Sequence, residues 1–236
     1  MARGLSQFES KEQKEAHVRS MFDRIAPRYD LLNRVIAANM DQRWRRRAAK
    51  AARGSGSGPY LDVGAGTGDL TRALQRVAPR ARAVGLDLAR QMLVMGRRKG
   101  LEAVQGSGLA LPARDGTFEA ITNAFVLRNL ADLDAFFREA HRALRVGGRL
   151  VSLEISRPPG RIFGPLYRLY FFRVMPRIGR ALSGDKGAYD YLADSVARVA
   201  EPEVLAEKMR AAGFARVDVQ RLMRGAVVLF VAHKEA

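Results

Sequence analysis

The chain has 236 residues, which fits one α/β domain with room for an insertion, because single domains of this kind run to about 250 residues. Hydrophobic residues make up 47% of it, enough to bury a core and to exclude wholesale disorder. The chain has no cysteine and only three scattered histidines, which excludes a disulfide framework, a thiolate nucleophile and a histidine metal cluster. We therefore expect a folded protein without a metal centre.

The formal net charge of +17 attracts anionic partners, among them nucleic acid and anionic lipid headgroups. Basic residues concentrate in residues 43–53, for which a solvated helix face is the simplest interpretation, and in the stretch Arg157–Lys186. The N-terminal residues lack the apolar core of a signal peptide. No apolar run reaches the roughly 18 residues of a membrane span. These features predict a cytoplasmic protein.

The N-terminal quarter is predicted to be helical. Residues 8–24 and 30–52 place apolar side chains at helical spacing, and Pro27 lies between them. The sequence GSGSGP at residues 54–59 is typical of a flexible linker. We therefore expect residues 1–58 to form a helical cap with a linker, and residues 59–236 to form the core domain.

From residue 59 onward, short apolar runs alternate with helical segments, a rhythm that predicts an α/β fold with a mostly parallel sheet covered by helices on both faces. The predicted strands are residues 60–63, 83–86, 103–105, 120–124, 149–154, 216–220 and 226–232. The predicted helices are residues 69–78, 89–99, 132–145 and 201–212. Residues 157–200 do not follow this rhythm and are interpreted as an insertion that forms a lid or a membrane-facing region.

A ligand site is predicted where the first core strand turns into a helix. Gly64, Gly66 and Gly68 lie there, and residues without a side chain let the backbone approach a ligand closely. Their G-x-G-x-G spacing differs from the dinucleotide fingerprint and so disfavours nicotinamide or flavin. Asp87 ends the next strand roughly 20 residues later, where a carboxylate can accept hydrogen bonds from both ribose hydroxyls. The pattern predicts a cofactor with an unphosphorylated ribose.

These loops resemble those of the class I S-adenosylmethionine methyltransferases, in which the glycine loop wraps the methionine and ribose of the cofactor. The resemblance implies a Rossmann-like, seven-stranded fold, S-adenosylmethionine as cofactor, S-adenosylhomocysteine as product, and no metal. It implies as cofactor-binding residues Asp62, Gly64, Gly66, Thr67, Gly68, Asp87, Leu88, Met92, Ser107, Gly108 and Asn123. Ser107 stands where an acidic residue for the adenine amino group is typical, so adenine recognition is expected to use its hydroxyl and the backbone.

Further segments resemble the ubiquinone/menaquinone biosynthesis C-methyltransferases. They are residues 21–33 (MFDRIAPRYDLLN), 41–45 (DQRWR), 127–129 (LRN), 150–156 (LVSLEIS) and 183–195, and the similarity covers residues 18–235. The resemblance implies methylation of a ring carbon of a reduced prenylated quinone, either demethylmenaquinol or the corresponding benzoquinol. In that reaction the protein positions the ring in line with an already activated methyl group.

Five residues are the catalytic candidates that this resemblance implies. Arg128 would stabilise the developing phenolate, because a guanidinium group is always charged and presents several donors. Asn129 would orient the same oxygen or a water molecule. Tyr29, Tyr189 and Tyr191 would flank the ring. For each tyrosine the alternative is packing in the core, and for Arg128 it is a surface ion pair.

Two more positions depart from the family pattern. Val126 stands where glycine is typical and is expected to narrow the pocket beside Arg128, and Phe230 stands where histidine is usual. With Ser107, they leave open a cofactor-binding assembly partner without catalytic activity. A methyltransferase of RNA or of a different small molecule is the other alternative, but only the net charge favours nucleic acid as a partner. The sequence leaves the oligomeric state and the choice of quinol open.

Residues 161–177 mix aromatic side chains with arginines and contain no acidic residue. Such a segment suits a membrane interface, where rings enter the acyl boundary and guanidinium groups meet anionic headgroups. We expect the stretch Arg157–Lys186 to contact an anionic membrane surface, which would place the protein peripherally on the inner face of the membrane. The alternative is a lid packed entirely on the domain.

Overall fold

The computed structural model describes residues 8–56, 58–161, 163–175, 177, 191 and 194–235. The helices are α1 (Lys11–Ile25), α2 (Tyr29–Ile36), α3 (Met40–Ala52), α4 (Asp69–Val77), α5 (Arg90–Arg97), α6 (Leu133–Ala143), α7 (Phe163–Leu169) and α8 (Pro202–Ala211). The strands are β1 (Tyr60–Val63), β2 (Ala83–Asp87), β3 (Ala103–Gln105), β4 (Phe118–Ala124), β5 (Leu144–Ile155), β6 (Arg216–Leu222) and β7 (Val227–His233). A π-helical turn, Tyr170–Val174, follows α7.

The seven strands form one sheet in the order β3-β2-β1-β4-β5-β7-β6. Strands β1 to β5 pair in parallel, whereas β7 is antiparallel to both β5 and β6. The mostly parallel sheet predicted from the sequence is therefore confirmed. The chain order reverses at β1, with β2 on one side and β4 on the other, and ligands of open α/β sheets bind at the carboxyl ends of strands at such a point.

Helices cover both faces of the sheet, as predicted. On one face α6 and α8 bury Phe136 and Met209 against the strands, and on the other α3 and α4 bury Ala48 and Leu74. A third apolar cluster joins α1, α2, α5 and the π-helical turn. Phe230 belongs to the first cluster and is 1% exposed, so this departure from the family pattern packs in the core of the sheet.

The helix predicted over residues 30–52 is two helices. Ala38 and Asn39 have φ angles of +46° and +59°, a left-handed conformation that ends α2 and redirects the chain into α3. The redirection places the buried face of α3 on the sheet, while α2 lies near the carboxyl ends of the strands with α1. The N-terminal segment thus packs on two different parts of the core domain.

The glycine-rich stretch after α3 is not the flexible linker that its composition predicts. The carboxylate of Glu119, which is 2% exposed, accepts hydrogen bonds from Gly56 N (3.1 Å), Gly58 N (2.6 Å) and Ser55 Oγ (2.9 Å). A Cβ atom on Gly54 or Gly58 would lie within about 2.5 Å of a Glu119 oxygen. A buried carboxylate needs such donors, so these glycines allow close approach to Glu119.

Candidate functional site

The glycine loop lies at the carboxyl end of β1, where the sequence predicts it. Gly64, Gly66 and Gly68 all have positive φ angles, of 67°, 55° and 86°, which explains why residues without a side chain are needed there. Gly64 N donates to Leu86 O at 2.7 Å, and this bond ties the loop to the end of β2. The loop therefore stands beside Asp87.

The Asp87 carboxylate receives one backbone donor on each oxygen. Gly66 N donates to Oδ2 at 2.7 Å and Ala89 N donates to Oδ1 at 2.8 Å. Burial raises the pKa of Asp87 to about 6, and the nearby Asp23 charge adds to that rise, while the two N–H donors oppose it. Each carboxylate oxygen accepts more than one hydrogen bond, so the group retains capacity for two ligand hydroxyls.

A cavity opens between this loop and the helices at the carboxyl ends of the strands, and we call it the cofactor cavity. Its wall comes from the glycine loop, the end of β2, α1, α5 and the loops after β3 and β4. The predicted cofactor-binding residues that line it are Gly64, Gly66, Asp87, Leu88, Met92 and Gly108. The structure therefore brings together predicted residues that are spread over 45 positions of sequence.

The other predicted cofactor-binding residues lie behind this wall or at its edge. Asp62 accepts from the hydroxyls of Thr71 (2.7 Å) and Thr122 (3.0 Å), and the Asn123 amide donates to Ser152 Oγ at 2.8 Å. Both side chains are buried in the sheet and do not reach the cavity. Thr67 and Gly68 are also outside the lining, and Ser107 lies between the lining residues Gly106 and Gly108.

The N-terminal segment closes the cofactor cavity from above the strand ends. Val18, Arg19, Phe22 and Tyr29 contribute to its wall, and of these only Tyr29 was singled out from the sequence. Phe22 lies in the family-like segment 21–33, but neither that motif nor helical spacing says what the buried face of α1 covers. The segment is a structural part of the cavity.

Two carboxylates fasten this segment to the core. Asp23 accepts from Gln91 N at 2.7 Å, in the first turn of α5. Asp30 accepts from the Thr67 hydroxyl and the Lys99 ammonium group. Burial would raise the pKa of Asp30, but the hydrogen bonds from Lys99 and Thr67 outweigh it and lower the pKa. Asp30 is thus held ionised between the glycine loop and the turn that follows α5.

A second cavity adjoins the first, and we call it the substrate cavity. It is larger, about 170 Å³ against about 70 Å³, and most of its wall is apolar. Its wall comes from α1, α2, the first turns of α3, the loop after β4, α7 with its π-helical turn, and the loop between β6 and β7. Four residues line both cavities: Phe22, Tyr29, Phe125 and Asn129. The two cavities therefore meet along a shared wall.

Arg128 lines the substrate cavity and is held in a buried ion pair. Its Nη1 atom lies 2.6 Å from Glu154 Oε1 and 2.7 Å from Phe125 O, and the Arg128 backbone N–H donates to Glu154 Oε2 at 3.3 Å. Its side chain is 8% exposed and that of Glu154 is 1% exposed. Within the part of the chain that the structure describes, the buried Arg128 Nε has no hydrogen-bond partner. The guanidinium is fixed in orientation and keeps donors for a ligand.

The other catalytic candidates have different placements. Asn129 is buried and donates weakly to Phe125 O at 3.4 Å, and Tyr29 and Tyr191 line the substrate cavity. Burial raises the pKa of Tyr191 and of Tyr167, and the Arg128 charge partly opposes the rise in both. Both phenols therefore stay neutral at pH 7. Tyr189 lies outside the described residues, so its role stays a prediction.

Aromatic and charged residues of α3 form part of the same wall. The Trp44 and Phe125 rings meet edge to face at 6.4 Å, and the Arg45 guanidinium carbon lies 5.2 Å from the centre of the Phe125 ring. Arg45 in turn pairs with Asp41 at 3.6 Å. Phe125 has a φ angle of +65°, an uncommon conformation for a bulky residue. The sequence offered no signal for Phe125, although it lines both cavities.

We expected Val126, which replaces the typical glycine, to narrow the pocket beside Arg128. Val126 is instead absent from the lining of the substrate cavity, where Arg128 lies. It lines the cofactor cavity, where a Cβ atom built on Gly64 would lie 2.4 Å from Val126 Cγ2. The valine therefore packs on the glycine loop, and it explains why Gly64 tolerates no side chain.

The described part of the stretch Arg157–Lys186 exposes aliphatic side chains and buries the aromatic residue Phe171. Leu166, Leu169 and Val174 are 61%, 50% and 39% exposed, whereas Phe171 is 5% exposed and packs with α1 and α2. The Tyr170 hydroxyl donates to Ile36 O at 2.8 Å, which joins the π-helical turn to α2. Among the described residues, no helix has both the length and the apolar character needed to cross a membrane.

Known proteins resemble this chain over nearly its whole length. The model of the ubiE/COQ5 methyltransferase family matches residues 9–234. A demethylmenaquinone methyltransferase from Deinococcus radiodurans is 44% identical over 95% of each chain, and one from Thermus thermophilus is 46% identical over 91% of this chain and all of its own. A ubiquinone/menaquinone biosynthesis C-methyltransferase from Geobacter sulfurreducens is 41% identical over 86% of this chain and 82% of its own.

Solved structures share the fold at low sequence identity. A SAM-dependent methyltransferase from Thermotoga maritima superposes with a TM-score of 0.67 at 20% identity and covers 93% of this chain and all of its own. The cyclase SpnF superposes with a TM-score of 0.71 at 17% identity, over 96% and 97% of the two chains. At these identities the likeness concerns the architecture alone.

Proposed function

Since the chain belongs to the ubiE/COQ5 methyltransferase family, we propose that it transfers a methyl group from S-adenosylmethionine to a ring carbon of a reduced prenylated quinone. One observation carries the proposal: a cavity that contains the Asp87 carboxylate and an apolar cavity that contains the fixed Arg128 guanidinium share four wall residues. A donor in the first cavity and a ring in the second would meet across that wall, as an in-line transfer requires.

The residues of the cofactor cavity fit S-adenosylmethionine, which supplies an activated methyl group when bound. Asp87 would accept the two ribose hydroxyls with its remaining lone pairs, because Gly66 N and Ala89 N occupy only one position on each oxygen. A Cβ atom on Gly66 would meet only Tyr29, at 3.8 Å, so space above this glycine is open to a ligand. No metal enters the proposed mechanism.

Arg128 and Asn129 would act on the quinol oxygen. A ring carbon attacks a sulfonium methyl only when an ionising oxygen donates electron density into the ring. The charge that develops on that oxygen would be stabilised by Arg128, which Glu154 and Phe125 O hold in place before the reaction. Asn129 lines both cavities and would orient the oxygen or a water molecule. Tyr29 and Tyr191 would flank the ring, with Tyr189 as the remaining candidate.

Among quinols, we propose a demethylmenaquinol as the substrate. The two relatives at 44% and 46% identity are named demethylmenaquinone methyltransferases, while the relative named for both quinones is 41% identical. The larger, apolar cavity suits a fused ring. A benzoquinol is the alternative that a direct assay must test.

We propose that the N-terminal helices are a cap over both substrates. Residues of α1 line both cavities, residues of α2 and α3 line the substrate cavity, and Asp23 and Asp30 tie the segment to the core beside the cofactor cavity. Excluding water from the reacting atoms would strengthen the electrostatic effect of Arg128. This assigns the region before the core domain a role in catalysis.

The proposed location is the inner face of the membrane, as a peripheral protein. The apolar side chains that would enter the acyl boundary are Leu166 and Leu169 of α7 and Leu31 and Val35 of α2, all at least 45% exposed. Both helices also line the substrate cavity, so a prenyl tail would reach it along this surface. Exposed arginines of the stretch Arg157–Lys186, such as Arg168 and Arg173, would meet anionic headgroups.

Mass spectrometry of reaction products tests the proposal. The protein is incubated anaerobically with S-adenosylmethionine and, in separate reactions, demethylmenaquinol, its oxidised form, the corresponding demethyl benzoquinol, and total RNA. We expect demethylmenaquinol to gain the mass of one methylene group and the oxidised form to stay unchanged. Methylation of RNA alone, or equal rates on quinone and quinol, would contradict the proposed substrate and the nucleophilic ring.

A further inference from the structure

The N-terminal helix places a carboxylate beside Ser107, the residue that replaces the acidic group typical of this loop. The Ser107 hydroxyl donates to Glu15 Oε1 at 2.6 Å, and Leu109 N donates to Ser107 Oγ at 3.0 Å. Glu15 and Ser107 are 92 residues apart in sequence. Position 107 therefore has no carboxylate of its own, but α1 supplies one next to it.

Glu15 is not itself in the wall of the cofactor cavity, but it lies next to residues that are. Gly106 and Gly108, on either side of Ser107, line that cavity. On α1, Val18, Arg19 and Phe22 also line it. These residues follow Glu15 at intervals of three, four and seven, so all four share one face of the helix. Glu15 thus continues the face of α1 that covers the cofactor cavity.

The hydrogen-bonding capacity of the two side chains decides which of them can recognise an amino group. Ser107 has one hydroxyl proton, which it donates to Glu15, and it already accepts one N–H. A carboxylate accepts up to about four hydrogen bonds, and the described structure shows one on Glu15. An aromatic amino group presents N–H donors, for which an ionised oxygen is the stronger acceptor.

We propose that Glu15 binds the exocyclic amino group of the adenine of S-adenosylmethionine, and that Ser107 is a positioning residue that holds the Glu15 carboxylate. Glu15 has this role only if the cavity holds that cofactor, so the inference rests on the proposed function. It gives the chain a carboxylate at the adenine end although the loop residue is serine. It also makes closure of the N-terminal cap part of cofactor recognition.

The test compares two ligands that differ at this amino group. In S-inosylhomocysteine a carbonyl oxygen replaces the adenine amino group of S-adenosylhomocysteine, so a carboxylate attracts one ligand and repels the other. Affinities for both are measured by calorimetry on wild type, Glu15→Ala, Glu15→Gln, and Glu15→Ala combined with Ser107→Asp. Glu12→Ala, which removes an exposed carboxylate one turn earlier on the same helix, is the matched control.

We expect wild type to prefer S-adenosylhomocysteine by about 10-fold or more, and Glu15→Ala to lose most of that preference. The nearly isosteric Glu15→Gln should also lose it, because an amide can donate to the carbonyl oxygen. Ser107→Asp in the Glu15→Ala background should restore it, and Glu12→Ala should not change it. A merely structural Glu15 would weaken both ligands equally, so an unchanged preference in Glu15→Ala and Glu15→Gln overturns the inference.

Failure of the proposed cofactor site gives a different result. In that case wild type does not bind S-adenosylhomocysteine, or Asp87→Ala leaves its affinity unchanged, and the inference falls with the site. If wild type binds it and Asp87→Ala weakens both ligands equally, the site stands, and the preference in the Glu15 variants alone decides the role of Glu15.

Discussion

The two cavities share four wall residues, but they differ in whether their charged group has a partner of opposite charge among the described residues. In the cofactor cavity, Asp87 accepts from neutral backbone donors and pairs with no cation among the described residues, and burial raises its pKa to about 6. In the substrate cavity, the Arg128 charge is matched by Glu154. An uncompensated carboxylate is suited to binding a ligand that donates to it. A paired guanidinium is suited to a fixed position, where it acts on charge that appears only during the reaction.

This difference predicts that Arg128→Ala will have the largest effect, and that the effect will be on turnover. Loss of one preorganised donor to a developing oxyanion costs about 100-fold or more in rate, on the order of 3 kcal/mol. We expect the turnover number to fall by that factor, while the affinity for S-adenosylhomocysteine stays near wild type. Arg128→Lys should recover part of the rate, because an ammonium keeps the charge without the planar fork.

The ion pair dictates the control for this experiment. Arg128→Ala leaves the Glu154 charge buried without its partner, which destabilises a fold by about 3–5 kcal/mol. The double variant Arg128→Ala with Glu154→Gln removes both charges and should regain thermal stability but not activity. Arg82→Ala removes an exposed arginine that pairs with Glu102 and serves as the surface control. Normal turnover in the stable double variant would remove Arg128 from the mechanism.

The same comparison predicts a pure affinity effect at Asp87. Asp87→Ala removes charge-assisted hydrogen bonds worth about 1.5–3 kcal/mol, so calorimetry should show S-adenosylhomocysteine binding weakened by roughly 10- to 100-fold. The thermal midpoint should stay close to that of wild type. Asp115→Ala, which removes an exposed carboxylate from its pair with Arg142, is the matched control. Unchanged affinity in the folded Asp87 variant would mean that the ribose lies elsewhere.

A raised pKa at Asp87 also predicts how cofactor affinity depends on pH. Ribose hydroxyls donate to the ionised carboxylate, so a proton on Asp87 competes with the cofactor. Affinity should be constant above about pH 7 and should decline as the pH falls through 6, by up to about tenfold per pH unit well below the pKa. Asp87→Asn should abolish this decline. A wild-type affinity that stays level down to pH 5 would contradict the pKa.

The cofactor cavity was predictable from the sequence because most of it is local. Three glycines at a strand end and an acidic residue at the end of the next strand are a short-range pattern, and parallel strands bring their carboxyl ends to one edge. The prediction also included residues that are close in sequence to the cavity wall but do not line the cavity. Asp62 lies on β1 and Asn123 on β4, but both side chains are buried in the sheet and bond to Thr71 and Ser152.

The substrate cavity was predictable only in part, because distant segments build it. Arg128 and two of the tyrosines came from the family resemblance, whereas Phe125 and Trp44 meet through tertiary packing that no spacing rule encodes. The fold shows the same limit. Periodicity located the seven strands, but it gave no sign that Ala38 would take a left-handed conformation. Nor did composition reveal that a buried Glu119 would hold the glycine-rich stretch.

The smallest expected effect concerns the outer surface of the substrate cavity, where charge and apolar side chains are both exposed. We expect the protein to cosediment with anionic vesicles more than with neutral ones, and added salt to remove most but not all of the binding, because salt screens arginine contacts and leaves apolar insertion intact. Leu166→Ser with Leu169→Ser should lower the salt-resistant part by a few fold.

Phe171 is unsuitable for this test, because it is buried against α1 and α2. Val146→Ser, at a residue 63% exposed on β5 and outside the cavity wall, is the control for a general loss of apolar surface. Equal binding to neutral and anionic vesicles, or equal losses in the leucine and valine variants, would contradict membrane contact by this surface. The role of α7 would then be limited to the cavity wall.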